Sequence, residues 1–117
     1  MTYTILARTA PTSTVALPLT GGLLLSSSEA AVLSSLTVTN TTGLSVVYSV
    51  YLCRDGLTTP SIDNALVFQQ VIKKNEVLAL TYGITLGWKS GNQDVIFVES
   101  GTPDALTFTA FGSKVGV

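Results

Sequence analysis

The chain has 117 residues, of which 46% are hydrophobic and 11% charged, with one Cys and no His. Its length suits one domain spanning residues 1–117. Its charged fraction is under half of the roughly 25% usual for globular domains, and about a quarter of the residues are Ser or Thr, so the surface is largely neutral. The composition lacks the commonest general base and metal ligand, and a lone Cys53 can build neither a disulfide framework nor a Cys-type zinc site.

Six Lys and Arg against seven Asp and Glu give a net charge of −1 without a basic stripe, so nucleic acid is not an expected partner. The start, Met1-Thr2-Tyr3-Thr4, leads into an alternating segment without the features of a secretory leader, so secretory export is not expected. Apolar runs such as Leu23-Leu24-Leu25 fall far short of the ~20 residues a spanning helix needs, and no membrane is expected as a partner. A mean hydropathy of +0.50 then needs another outlet, and burial against copies of itself or against a larger particle supplies one.

In chain order the hydrophobic pattern has period two almost throughout, the mark of strands with one face in a core. The first segment, near 3–9, alternates Tyr3 and Ile5 with Thr4 and reads as an edge strand, or, with the rest of 1–13, as an arm reaching a neighbour. Strands follow near 14–19 and 22–26. Ser26-Ser27-Ser28-Glu29 has the spacing of a helix capping box, yet Ser34-Ser35-Leu36-Thr37-Val38 downstream would not sustain a helix, so a turn entering a strand is expected. Leu36 and Val38 alternate with Thr37 and Thr39. Leu44, Val46, Tyr48, Val50 and Leu52 then form an apolar face opposite a mixed face of Ser45, Val47, Ser49, Tyr51 and Cys53. Strands near 65–72, 76–82 and 94–100 precede a last one in which Leu106, Phe108 and Ala110 alternate with Thr107, Thr109 and Phe111.

Turn signals separate these segments: Asn40-Thr41-Thr42-Gly43, Arg54-Asp55-Gly56, Lys73-Lys74-Asn75, Ser90-Gly91-Asn92 and Gly101-Thr102-Pro103-Asp104. About eight strands at roughly ten-residue spacing, with no helical crossover, predict an all-β antiparallel sandwich, a jelly roll being one candidate topology. The longest irregular connection runs from Asp55 to Asn64.

Chemistry finds little purchase on this pattern. Hydroxyls are plentiful but have no His beside them and no Ser-x-x-Lys arrangement, so they read as strand-surface groups. Of the carboxylates Glu29, Asp55, Asp63, Glu76, Asp94, Glu99 and Asp104, all but Glu99 sit in or beside turn signals and read as solvated caps. Asp63-Asn64 and Asn92-Gln93-Asp94 are calcium-type ligands without the count or loop length of a site. Gly21-Gly22 opens another apolar strand rather than a phosphate-cradling helix, and Asn40-Thr41-Thr42 matches a glycosylation sequon expected to be idle. No catalytic residue, metal or cofactor is expected, and the protein is not expected to be an enzyme. Tyr3, Ile5, Lys73, Lys74, Tyr82 and Trp88 are the candidate interface residues. Trp88, the single Trp, lies between glycines in a segment that could project, and aromatic anchors are enriched at interfaces.

Four segments carry a resemblance: Ala31 to Asn40 (AVLSSLTVTN), Asn75 to Leu86 (NEVLALTYGITL), Asp94 to Val98 (DVIFV) and Leu106 to Ser113 (LTFTAFGS). In that order, spanning most of residues 30–113, they resemble short virion proteins of tailed bacteriophages, particularly those infecting cyanobacteria and other aquatic hosts. The resemblance implies a small β-sandwich built into a particle, made in the host cytoplasm and located in the virion. Its expected role is capsid decoration or cementing through protein interfaces, the alternative being a neck, tail or fibre component, including a host-surface binding module that reads glycan through Tyr51, Tyr82 or Trp88. Expected partners are the chain itself, as a homo-oligomer with a trimer favoured, and other virion proteins such as the major capsid protein. The chain departs from that group at Gly87 to Asn92 and at Lys73-Lys74.

Overall fold

The computed structural model describes residues 4–12, 17–18, 30–54, 59–89 and 92–115. Ten strands follow one another: β1 (Thr4–Thr9), β2 (Leu17–Pro18), β3 (Ala30–Asn40), β4 (Val46–Cys53), β5 (Ala65–Ile72), β6 (Val77–Leu86), β7 (Trp88–Lys89), β8 (Asn92–Gln93), β9 (Val95–Ser100) and β10 (Leu106–Val115). A 3-10 turn, Ile62–Asn64, precedes β5. Among the described residues no helix is long and apolar enough to cross a membrane.

Two four-stranded antiparallel sheets result, one ordered β1-β10-β3-β6 and the other β2-β9-β4-β5. The first and last strands lie side by side. Chain-consecutive pairs β1/β2, β3/β4, β5/β6 and β9/β10 step from one sheet to the other, so the strands wind as a jelly-roll sandwich. The period-two pattern makes this arrangement favourable, because each sheet turns an apolar face inward. Leu6, Leu33, Leu36, Val38, Leu106 and Phe108 of the first sheet meet Val46, Tyr48, Val50, Ile72, Ile96 and Val98 of the second in one buried cluster. Each such side chain contributes roughly 1.5–3 kcal/mol by leaving water.

The expectations for the N-terminus narrow accordingly. Thr4–Thr9 pairs with β10 of its own sandwich as an edge strand, while Tyr3 lies outside the described residues. The segment near 14–19 contains the two-residue β2, and 22–26 lies outside the described residues. The strand after the capping-box sequence starts at Ala30, and β6 runs to Leu86, four residues beyond its expected end. Leu44, placed by alternation on the core face of the next strand, sits instead in the turn before β4 and is 76% exposed. The mixed face of β4 is also drier than its composition suggests. Ser49, Tyr51 and Cys53 are buried, and Tyr51 and Cys53 form a second apolar cluster with Phe97. Burial pushes the Cys53 thiol above its ordinary pKa, which leaves it an inert small packing residue.

A phase change runs across the first sheet. Along β3 the buried residues are Ala31 and Leu33, then Leu36, Val38 and Asn40, so the inward set shifts from odd to even at Ser34-Ser35. Register irregularities fall at the same level in all three pairings of this sheet, at Ile5/Ala7, Phe111/Gly112 and Leu33/Ser35. Aligned bulges bend and twist a sheet so that it can wrap a core. Gly112 is required there by space: a Cβ on it would run into the Val32 carbonyl oxygen and lie 3.0 Å from Leu6 Cδ1. We therefore expect Gly112→Ala to destabilise the fold by roughly 3 kcal/mol, read as a lowered urea midpoint, whereas Gly83→Ala, with nothing within 4 Å, should shift that midpoint little.

Candidate functional site

Among the described residues no group of three or more Cys, Asp and Glu side chains comes together that could hold a metal ion. What the fold builds instead are two surfaces: an end of the sandwich where sheet-crossing turns meet, and a flank where β5 and β6 lie open.

The turn end is organised by Asn40, which is 1% exposed. Its Nδ2 donates to the carbonyls of Leu44 at 2.9 Å, Lys73 at 3.1 Å and Ile72 at 3.3 Å, while its Oδ1 accepts from the Thr42 N–H at 3.0 Å and the Thr42 hydroxyl at 2.7 Å. Its own N–H donates to Glu76 O. One side chain thus ties the β3–β4 turn to the β5–β6 turn, two separate crossings between the sheets. Every polar atom of the carboxamide is engaged, which explains physically why the sequon at Asn40 is inaccessible in the folded chain. Lys73 and Lys74 are exposed on the second of these turns, whose tight geometry rests on Asn75 at a positive φ of 53° and on the Glu76 carboxylate accepting from the Lys73 N–H.

At the opposite end Arg54 Nη1 pairs with Asp94 Oδ2 at 2.9 Å and also donates to Thr85 O. Asp94 Oδ2 accepts in addition from the Gly87 N–H, and the Asp94 N–H donates to Gly87 O, closing the base of the β7–β8 hairpin. Asp94 is therefore a buried structural carboxylate and not the solvated turn cap that its neighbourhood in the sequence suggests; these partners offset the cost of its burial. Asp63 and Asp104 are exposed, as expected of caps, whereas Glu99, half-buried, accepts from the Tyr51 hydroxyl at 3.0 Å. Leu52, Arg54, Asp63, Asn64, Ala65 and Leu66 line an open cleft of about 380 Å³ beside this ion pair.

The flank is the more extensive feature. β6 carries no charged residue, and its burial alternates between exposed and half-buried from Val77 to Thr85. Leu78, Leu80, Tyr82 and Ile84 pack against the core from an edge that covers them on one side only. Across the sandwich β5 adds Leu66, Phe68 and Val71, all exposed, and Val71 pairs with the exposed Val47 of β4. Exposed apolar residues in a contiguous set mark interaction surfaces more often than isolated ones do.

The candidate interface residues distribute unevenly. Tyr82 lies on the flank, half-buried, and Lys73 and Lys74 stand at its lower end. Ile5 is exposed on β1 at the far edge of the same sheet, so these residues do not form one patch. The Trp88 backbone pairs with Gln93 in the small hairpin, and its side chain lies outside the described residues. Tyr51 is corrected outright as a ligand-reading residue at a loop end: it is mid-strand, 5% exposed, and covered by Phe97 and Ala65. Sequence reading missed Asn40 as an organiser and the flank leucines as surface. The run of ten uncharged residues in β6 was the available signal for the latter.

Comparison with known proteins finds no family model, no curated protein and no solved structure that matches this chain. What the chain shows is a fold, a jelly-roll β-sandwich whose β5–β6 flank carries exposed apolar residues among those described.

Two stability effects follow from this geometry. Asn40→Ala should cost about 3 kcal/mol, because it strands buried carbonyl groups as well as losing its own bonds. Asn40→Asp should also destabilise, since it preserves shape but replaces the amide donor with a group that repels three carbonyls; chemical denaturation of both variants measures this. Burial raises the phenol pKa values of Tyr48, Tyr51 and Tyr82 above the ordinary 10.0, with the Glu76 charge adding to the effect at Tyr48 and Tyr48 adding to that at Tyr82. The folded state thus keeps protons that the unfolded chain loses, so this contribution is intact below pH 10 and is lost as pH rises beyond it. Thermal melts should fall above that pH, and less steeply in Tyr48→Phe.

Proposed function

We propose that the protein is a structural component of a tailed-bacteriophage virion that works by burying surface against protein neighbours, in the first instance as a decoration or cement protein of the head. The observation that carries this reading is the uncharged β5–β6 flank with its exposed Leu66, Phe68, Val71 and Val77. The jelly-roll order supports it, because that architecture recurs in capsid proteins, although the same architecture also serves lectins and enzymes and so does not assign a function alone. The resemblance of four segments within residues 30–113 to short virion proteins is in keeping with it.

In this reading the two sheets act as a rigid spacer, and their exposed apolar residues meet other subunits. The low net charge of −1 leaves little repulsion between copies or against a capsid surface. Partners are then the chain itself and other virion proteins such as the major capsid protein. A neck, tail or fibre position is the second reading, favoured by the open cleft at Arg54, Asp63 and Asn64, whose polar groups over an apolar floor suit a small polar ligand better than a flat subunit contact does.

Quantitative mass spectrometry of purified virions whose genome encodes this chain separates the two. Hundreds of copies per particle are expected for head decoration, a few to a few dozen would move the protein to the neck or tail, and absence from the particle would overturn the proposal.

A further inference from the structure

The first sheet ends at β6, which among the described residues is paired on one side only, with β3. An open strand edge is a template for another strand, and proteins usually blunt it with charge, proline, bulges or brevity. Three of the four sheet edges here are blunted in those ways. β1 carries the bulge at Leu6 and the exposed Arg8. Among the described residues β2 has two, one of them Pro18. β5 has two register irregularities and places Gln69 at a φ of 47°, its N–H taken by the Ser49 hydroxyl. From Val77 to Thr81, β6 has none of these devices, and its register with β3 is unbroken.

The register also says which backbone groups are free. Asn40 N–H donates to Glu76 O, and the pairing continues as Val38 with Leu78 and Leu36 with Leu80. In an antiparallel ladder the groups that face a neighbour alternate along the strand, so residues 76, 78 and 80 face β3, while Val77, Ala79 and Thr81 turn their N–H and C=O groups to the open edge.

We infer that two copies of this chain pair through β6, antiparallel about a two-fold axis at Ala79, to form a continuous sheet of eight strands. Three N–H and three C=O groups on each strand face their counterparts, giving six hydrogen bonds, Val77 with Thr81 twice and Ala79 with its own copy. On the inner face this register sets Leu78 of one copy opposite Leu80 of the other, which covers the two leucines that the monomer leaves half-buried. On the outer face it sets Val77 against Thr81, a β-branched pair, with small Ala79 on the axis. The same two-fold brings the Lys73-Lys74 turn of each copy level with the 3-10 turn of the other, where Asp63 stands exposed. A three-fold ring, in contrast, would join β6 to a different edge of its neighbour, and each of those edges is blunted. The occupant is therefore a second β6.

This pairing rests on reading the flank as an interface and is independent of any place in a virion, so sedimentation of the isolated chain tests it separately from the particle measurement. The wild-type chain is expected to sediment as a dimer. Ala79→Lys and Ala79→Glu, at a position exposed in the monomer, place like charges opposite each other and should each weaken self-association about tenfold or more, with melting temperatures unchanged under dilute conditions where the chain is monomeric. An equimolar mixture of the two should restore the dimer through a Lys–Glu pair across the axis. Ala79→Pro removes the edge N–H without touching the ladder to β3 and should also give a monomer. A wild-type monomer or trimer, a dimer insensitive to Ala79→Lys, or failure of the Lys and Glu variants to rescue each other would overturn the inference.

Discussion

The buried carboxamide of Asn40 is the constraint on which the relation between the two sheets depends. A sandwich joined by chain crossings has to fix where each crossing turns, and here two crossings meet at one side chain that bonds Thr42, Leu44, Ile72 and Lys73. Apolar burial supplies the bulk of the stability but is non-directional, and it would accept small slides of one sheet over the other. An amide with three carbonyl partners and one hydroxyl does not. It is directional, it is dry, and the cost of leaving any partner unmade falls entirely on the slipped state. Once this end is set, the stacking of β5 over β6 and β4 over β3 follows, and with it the shape of the open flank.

That flank shows how a chain can satisfy its core and still leave surface for others. The middle strands β10, β3, β9 and β4 bury their inward residues almost completely, with Leu36, Val38, Val50, Val98 and Phe108 all at 0% exposed. Of the strands that end the sheets, β1 buries Leu6 and Ala7, whereas β5 and β6 bury Ile72 and Leu86 and leave their other inward side chains half-buried, with neighbours on one side only. Leu78, Leu80 and Ile84 are inward-facing by alternation and half-buried by position. Polar substitutions at those sites would cost core packing, while the apolar residues there stay partly in water. The neutral composition accords with this, since the strand that carries these leucines has no charged residue.

Alternation along the chain was enough to place most strands, because period two survives wherever one face is dry. It identified β4, β5 and β9 nearly to their ends and β10 as far as Phe111, four residues short of Val115, and it refused the helix offered by Ser26 to Glu29. It misread places where a local feature depends on contacts distant in sequence. Leu44 fits the apolar phase of β4, yet the turn that Asn40 organises ends before the strand begins. Asp94 looks like any turn aspartate until Arg54, forty residues away in the chain, is brought to 2.9 Å. Tyr51 has the composition of a recognition residue, and pairing with Phe97 buries it. The change of phase at Ser34-Ser35 breaks the sequence pattern visibly, but only the register with β6 and β10 identifies it as part of a bend crossing the whole sheet.

The sequence by itself determined that this chain is all-β, nearly neutral, without His and of positive mean hydropathy. These are additive properties of composition and local period, and each residue contributes to them without reference to any other. Only the tertiary structure decided which apolar residues stay half exposed, which edges are blunted and which one is left regular, and which polar residues join turns or close hairpins. Those are pairwise properties, fixed by the jelly-roll order of the strands. A strand's place in a sheet, middle or edge, cannot be read from the strand.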